Sequence, residues 1–141
     1  MSYATKQDMI DRFGETELVQ ITNQEDHAAT VINDTVLNQA LADADAEIDG
    51  YLIGRYALPL ASVPATLKRN ACDIARYHLY DNRVTEQVQK RYDNVVAFLR
   101  MLAKGDASLG LDAAHQETPT TGGPAIAAGD RVFTADSLKD Y

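Results

Sequence analysis

The sequence predicts an all-α chain: a small helical bundle of about five helices, three of them long, followed by a flexible C-terminal arm. Three observations carry this. Apolar residues recur at gaps of three and four through several stretches, the period of one helix face. No apolar–polar alternation of any length occurs before residue 105, so no strand is expected there. After residue 105 the helical period stops and the chain turns rich in Gly, Ala, Thr and Asp.

The elements follow in order. Thr5 is placed to cap a short helix, TKQDMIDRF, with Met9, Ile10 and Phe13 on its apolar face; Gly14 stops it. GETELVQIT is a second short helix with Leu18, Val19 and Ile21 apolar. NQEDHAATVIND is a polar connection, and His27 within it has no second ligand nearby. Asn33 or Asp34 opens a long helix that runs to between Gly54 and Tyr56. Leu37, Ala40, Leu41, Ala44, Ile48, Tyr51 and Leu52 form its apolar face. Pro59 and Pro64 force extended backbone before them, and Pro64 suits the first turn of a helix over about 64–81. On that helix Leu67, Ala71, Ile74, Ala75, His78 and Leu79 share one side; Lys68, Arg69, Asp73 and Arg76 lie mostly elsewhere. Thr85 opens the last helix, to about Lys104. Its Val88, Tyr92, Val95, Leu99 and Leu102 repeat at gaps of 4, 3, 4 and 3 over barely two heptads, which fits packing inside a bundle.

Residues 1–105 are therefore expected to form one helical domain, and 106–141 a tail. The stretch 106–130 lacks the apolar surface that would offset the entropy of ordering it. The last segment, RVFTADSLKDY (131–141), carries Val132, Phe133, Leu138 and Tyr141, an apolar set suited to docking on a partner.

The most suggestive short motif is DADAEIDG (43–50). As a calcium loop it fails: counting from Asp43, the turn position is Ile48 where glycine is needed, and the closing position is Gly54 where a bidentate Glu is needed. As helix, its acids fall off the apolar face in the pairs Asp43/Glu47 and Asp45/Asp49, each four apart. Such pairs cost a few tenths of a kcal/mol. The acids are thus expected on a solvated or partner-facing flank.

The remaining chemistry is sparse. The lone Cys72 sits among Ala71, Ile74 and Ala75, reads as a small buried hydrophobe, and suits a reducing cytoplasm. His78 reads as a core histidine with one hydrogen bond; a catalytic role needs a shifted pKa in a cleft. Histidines and cysteine at 27, 72, 78 and 115 lack zinc spacing. The only GG pair, Gly122–Gly123, lies in the expected tail, and no phosphate loop or hydrolase elbow occurs. No apolar run is long enough for a membrane span, and no secretory leader is expected. Neither cofactor nor catalysis is implied.

Charge is unevenly placed. Residues 1–54 carry eleven acids and two bases, net −9; residues 55–104 carry four acids and nine bases, net +5; residues 105–141 carry six acids and two bases, net −4. Opposite flanks of this kind suit head-to-tail self-contact, which closes into a ring when the rotation permits. They also leave open a DNA-binding module, through Arg55, Lys68, Arg69, Arg76, Arg83, Lys90, Arg91 and Arg100, if the acids lie on the far side.

Several stretches then resemble a family of Mu-like phage and prophage proteins: YATKQDMIDRFGETELVQIT (3–22), DADAEIDGYLIGRYALPL (43–60), VPATLKRNACDIARYHLYDNR (63–83), RYDNVVAFLRMLAKGDASLG (91–110) and the terminal RVFTADSLKDY. The RY–Pro–Leu turn at Arg55, Tyr56, Pro59 and Leu60 and the ARY–LY pattern at Ala75, Arg76, Tyr77, Leu79 and Tyr80 are part of it. The likeness covers nearly the whole chain. It implies a small α-helical head–tail connector, or adaptor, without a cofactor. Such a protein forms a ring between portal and tail-completion proteins, and DNA passes through it without specific recognition. It would be found in the host cytoplasm during assembly and then at the head–tail junction of the virion. On that reading Asp43 and Glu47 face Arg69, Arg76 or Arg83 of a neighbour, and Phe133, Leu138 and Tyr141 dock the arm. The rival readings are another interaction or DNA-binding module of a prophage and, last, a small enzyme.

Overall fold

The computed structural model describes residues 2–110. The expected tail beyond 110, with Phe133, Leu138 and Tyr141, lies outside the described residues. Five α-helices form the unit: α1 (Lys6–Phe13), α2 (Glu15–Thr22), α3 (Asp34–Leu52), α4 (Ala65–Tyr80) and α5 (Glu86–Lys104), with one 3-10 turn, Asp81–Arg83, between α4 and α5. The all-α prediction holds, and no strand occurs among the described residues.

The helix starts are set by side chains that accept from otherwise orphaned backbone N–H groups. Thr5 accepts from the Asp8 N–H, and the Asp8 carboxylate accepts from the Thr5 N–H in return, a capping box. Asn33 caps α3 through the Val36 N–H, and Thr85 caps α5 through the Val88 N–H. Gly105 ends α5 at φ 88°, a left-handed turn that costs glycine little.

The core is a three-helix sandwich. α3 contributes Leu37, Leu41, Ala44, Ile48 and Leu52; α4 contributes Leu67, Ala71, Ile74, Ala75 and Leu79; α5 contributes Val95, Leu99 and Leu102. The tight turn makes α4 and α5 an antiparallel hairpin. The contacts Glu47–Tyr92 and Arg55–Leu102 advance together along α3 and α5, so these two helices run parallel. α1 and α2 close one side with Met9, Leu18 and Ile21, and the N-terminal Tyr3 is buried with them.

Two boundaries differ from expectation. α3 stops at Leu52 rather than running to residues 54–56, because the N–H groups of Arg55 and Tyr56 both turn back to the Leu52 carbonyl, at 2.9 Å each. That turn aims Arg55 at the far end of α5. The second boundary follows from it. The ordered unit continues through 106–110, which were expected to be loose. The Arg55 Nη1 donates to the carbonyls of Leu102 and Ala107, 3.1 Å each, and the Leu109 N–H donates to the Tyr56 hydroxyl at 3.1 Å. Arg55 and Tyr56 thus clasp the chain just after α5. A third departure concerns α4: Asp73, expected off its apolar side, is buried, and so is the neighbouring Asn70. Among the described residues the Asn70 amide nitrogen has no hydrogen-bond partner, and Asp73 meets the Arg91 guanidinium at 3.9 Å.

Candidate interaction surfaces

The acidic run on α3 separates into committed and free groups. Asp45 accepts from the Tyr3 backbone N–H at 2.9 Å, and Asp49 accepts from the Tyr3 hydroxyl. Glu47 accepts from the Tyr92 hydroxyl at 2.7 Å with one oxygen and meets the His78 Nε2 at 3.3 Å with the other. The Tyr92 ring stacks on Tyr77, centroids 3.9 Å apart and 9° from parallel. One carboxylate therefore joins α3, α4 and α5. The expectation of a solvated or partner-facing acidic flank is corrected for three of its four acids, which are bound inside the chain. Of the four only Asp43 is exposed, and among the described residues its one hydrogen-bond partner is Gln39, four residues earlier on the same helix, at 3.0 Å.

Arg76 is similarly committed. Its guanidinium forks onto Glu17 at 2.7 and 3.2 Å and lies over the Phe13 ring, 4.4 Å from its centroid. Glu17 also accepts from the Tyr80 hydroxyl at 3.1 Å. A bidentate pair of this kind on a half-buried, aromatic surface is a clamp between α2 and α4 rather than a free charge.

These burials move proton affinities. Burial, the Asp49 acceptor and its charge push the Tyr3 hydroxyl well above the ordinary tyrosine value; burial and Glu47 do the same to Tyr92. Burial raises the Asp45 carboxyl against the pull of the Tyr3 N–H, and raises Asp73 against the Arg91 charge. The Cys72 thiol is pushed up to about 11, again by burial, so it is not activated as a nucleophile.

What stays open is a groove. A cavity of about 700 Å³ lies between the α2–α3 connection, the N-terminal half of α3 and the end of α4. Ile21, Val36, Ala40 and Leu79 give it an apolar floor, while Glu25, Asp26, Asp43 and Asp81 line it without a lysine or arginine among them. Val36 is 39% and the neighbouring Val31 69% exposed. His78 borders this groove only half-buried, its Nε2 taken by Glu47. Opposite in sign, Arg69, Arg83, Lys90, Arg100 and Lys104 are exposed and make no hydrogen bond or ion pair among the described residues. Among those residues no three His, Cys, Asp or Glu side chains gather as a metal site, and no helix is long and apolar enough to cross a membrane.

Comparison with known proteins gives this arrangement a context. Residues 3–128 match the family described as Bacteriophage Mu, Gp36. The Mu-like prophage FluMu protein gp36 of Haemophilus influenzae is 35% identical over 139 residues, 99% of this chain and 97% of that protein. Gene product J of Escherichia phage Mu is 38% identical over 119 residues, 84% of each. The chain belongs to the Mu Gp36 family. The resemblance found in the sequence is thereby established at the level of a Mu-like phage protein family.

Within this family member, the residues nominated for partner contact sort into three groups. Asp43, Arg69 and Arg83 are exposed and available. Glu47 and Arg76 are held by Tyr92, His78 and Glu17 of their own chain. Phe133, Leu138 and Tyr141 lie outside the described residues. Sequence reasoning missed Glu25, Asp26 and Asp81, because a surface acid in a loop carries no mark of the groove it borders. It also missed Tyr3 as the partner of Asp45 and Asp49. The likeness of YATKQDMIDRF to the family did mark that segment, but no periodicity says where a residue ahead of the first helix will land.

Proposed function

We propose that this protein is a structural head–tail connector, a ring-forming adaptor between portal and tail that passes DNA through its centre without reading it. The observation that supports this most directly is a chain of a Mu phage family that exposes charges of both signs outside any ion pair among the described residues. The acids Glu25, Asp26, Asp43 and Asp81 share one groove; Arg83 lines the adjoining cleft with Asp26, while the bases Arg69, Lys90, Arg100 and Lys104 lie outside both. Separated complementary surfaces favour heterologous contact, the kind that closes into rings. Exposed pairs are worth about 0–1 kcal/mol each, so they set orientation more than affinity. The ring is accordingly weak alone and completed by its portal or by ordering of 131–141. The role asks for no cofactor and no catalysis.

A Mu-like phage whose copy of this gene carries an early stop codon tests the reading. The expected product is heads and tails that fail to join, visible by electron microscopy; joined virions would overturn it. Light scattering behind size exclusion, over a concentration series, tests the arm. Association that grows with concentration and vanishes on deleting 131–141, with helical content unchanged, is expected. Persistence of the oligomer after that deletion removes the arm from the assembly scheme, and a stable ring at nanomolar concentration contradicts the weak-ring expectation.

The same free bases favour one second reading, a non-specific DNA-binding module. Glu86 and Asp93 on the outside of α5 interrupt them. Salt-sensitive retention of the isolated protein on DNA would support that reading over the connector.

A further inference from the structure

We propose that the acidic groove on the N-terminal half of α3 receives the outer face of α5 from a second copy of this chain. The inference rests on the ring-forming role and names the contact that would build the ring.

The groove asks for a ligand with an apolar middle and positive ends. Its floor is Val36, Ala40 and Leu79, and its lining charges are all negative. Ile21 of α2 and Leu79 at the end of α4 flank this floor, and α5 meets α3 further along, at Glu47. Val36 stays 39% exposed there.

The chain itself carries a matching element. α5 buries Val88, Val95, Leu99 and Leu102 with Tyr92 half-covered. Two positions further on, Lys90, Asn94, Ala97, Met101 and Lys104 repeat the same gaps of 4, 3, 4 and 3, and all five are exposed. Met101 is 45% exposed on a helix whose other long apolar residues are covered or half-covered. The two lysines bracket Ala97 and Met101 and stand about 21 Å apart along the axis. They have no partner among the described residues. An amphipathic helix face with apolar anchors at i and i+4 is the form that lies in such a groove.

A molecule cannot fill its own groove this way. Its α5 is fixed to α4 by the Tyr77–Tyr92 stack and to α3 by the Glu47 and Arg55 contacts, with the Lys90–Lys104 stripe on the outside. The occupant must come from another copy. Each subunit then offers one groove and one stripe, so the contact is head-to-tail and propagates until it closes.

Two double variants of the full chain test this. Glu25→Lys with Asp43→Lys blocks the groove and leaves the stripe. Lys90→Glu with Lys104→Glu blocks the stripe and leaves the groove. All four side chains are exposed, so circular dichroism should be unchanged. Light scattering over a concentration series should show each variant weakened in self-association at least about tenfold against the wild type. Mixed, the two should regain association, because the intact stripe of one fits the intact groove of the other and the reversed groove and reversed stripe are again opposite in sign. Variants that associate like the wild type, a mixture that stays monomeric, or a wild-type chain monomeric up to millimolar concentration would each overturn the proposal. The phage test of head–tail joining is independent of all three outcomes, so the connector role can stand where this contact fails.

Discussion

The two halves of α3 are built from the same residue types and do opposite things. From Ala44 to Leu52 every acid has a partner across the fold: Tyr3 takes Asp45 and Asp49, while Tyr92 and His78 take Glu47. From Asp34 to Asp43 the acids face outward; Asp34 meets only the exposed Lys6, and Asp43 only Gln39. The difference lies in what is packed alongside. The second half runs between α4, α5 and the N-terminal segment, where an unpaired carboxylate would cost much of its hydration and so must be bonded. The first half borders a groove and keeps its water. Acid spacing along a helix therefore says little about function until the neighbours of each acid are known.

Substitution should expose this contrast most strongly at the centre of the committed half. Glu47→Ala removes two contacts and strands the Tyr92 hydroxyl, at a cost of about 2–3 kcal/mol. Urea unfolding should show it as a lower midpoint with unchanged slope. A change below about 0.5 kcal/mol would mean that Glu47 is no more committed than Asp43.

Next comes Arg76→Ala, which breaks the fork onto Glu17 and uncovers Phe13. With both partners less than a quarter exposed, the expected loss is about 1–2 kcal/mol by the same measurement. Arg83→Ala, an exposed and unpaired arginine, is the matched control and should be silent.

A third test uses pH. Tyr3 and Tyr92 have hydroxyl pKa values raised above the ordinary 10.0 by burial and by their carboxylate acceptors. Above pH 10 the folded chain therefore holds protons that the unfolded chain has lost. The stability these groups contribute is complete below pH 10 and declines as pH rises toward their folded values. Ultraviolet titration should show part of the chain's seven tyrosines ionising only as helical structure is lost. Replacing Glu47 with Gln should return Tyr92, but not Tyr3, toward ordinary titration. If all seven ionise together near pH 10 with the fold intact, the buried pairs do not hold in solution.

The smallest effect belongs to the free half. Asp43→Ala should move stability by less than about 0.5 kcal/mol. A larger loss would show that the groove acid carries structural weight.

Much of the fold was legible because its signals are local. Thr5, Asn33 and Thr85 announce helix starts; Gly14 and Gly105 announce stops; and the 4, 3, 4, 3 spacing of Val88 to Leu102 names the buried face of α5. The site was less legible because its contacts are not local. Tyr3–Asp45, Glu47–Tyr92 and Arg76–Glu17 join residues 42, 45 and 59 positions apart, and nothing in the period of either partner encodes the meeting. The same holds for Asn70 and Asp73. A polar residue on a helix reads as wet unless the neighbour that covers it is known. Asp43, Arg69 and Arg83, nominated for partner contact, are exposed among the described residues.

One feature of the turn after α3 reaches further than its own contacts. Because Arg55 and Tyr56 grip residues 107 and 109, the chain beyond Gly110 starts from a fixed anchorage at the end of the bundle where α3 and α5 finish. A polypeptide spans at most about 3.5 Å per residue. The 22-residue separation of Leu109 and Arg131 sets an upper limit of roughly 77 Å on that reach. The clasp gives the terminal segment RVFTADSLKDY a centre and a radius. In any symmetric assembly it repeats that centre at every subunit, so a two-residue turn, Arg55–Tyr56, sets which neighbouring surfaces the terminus can touch.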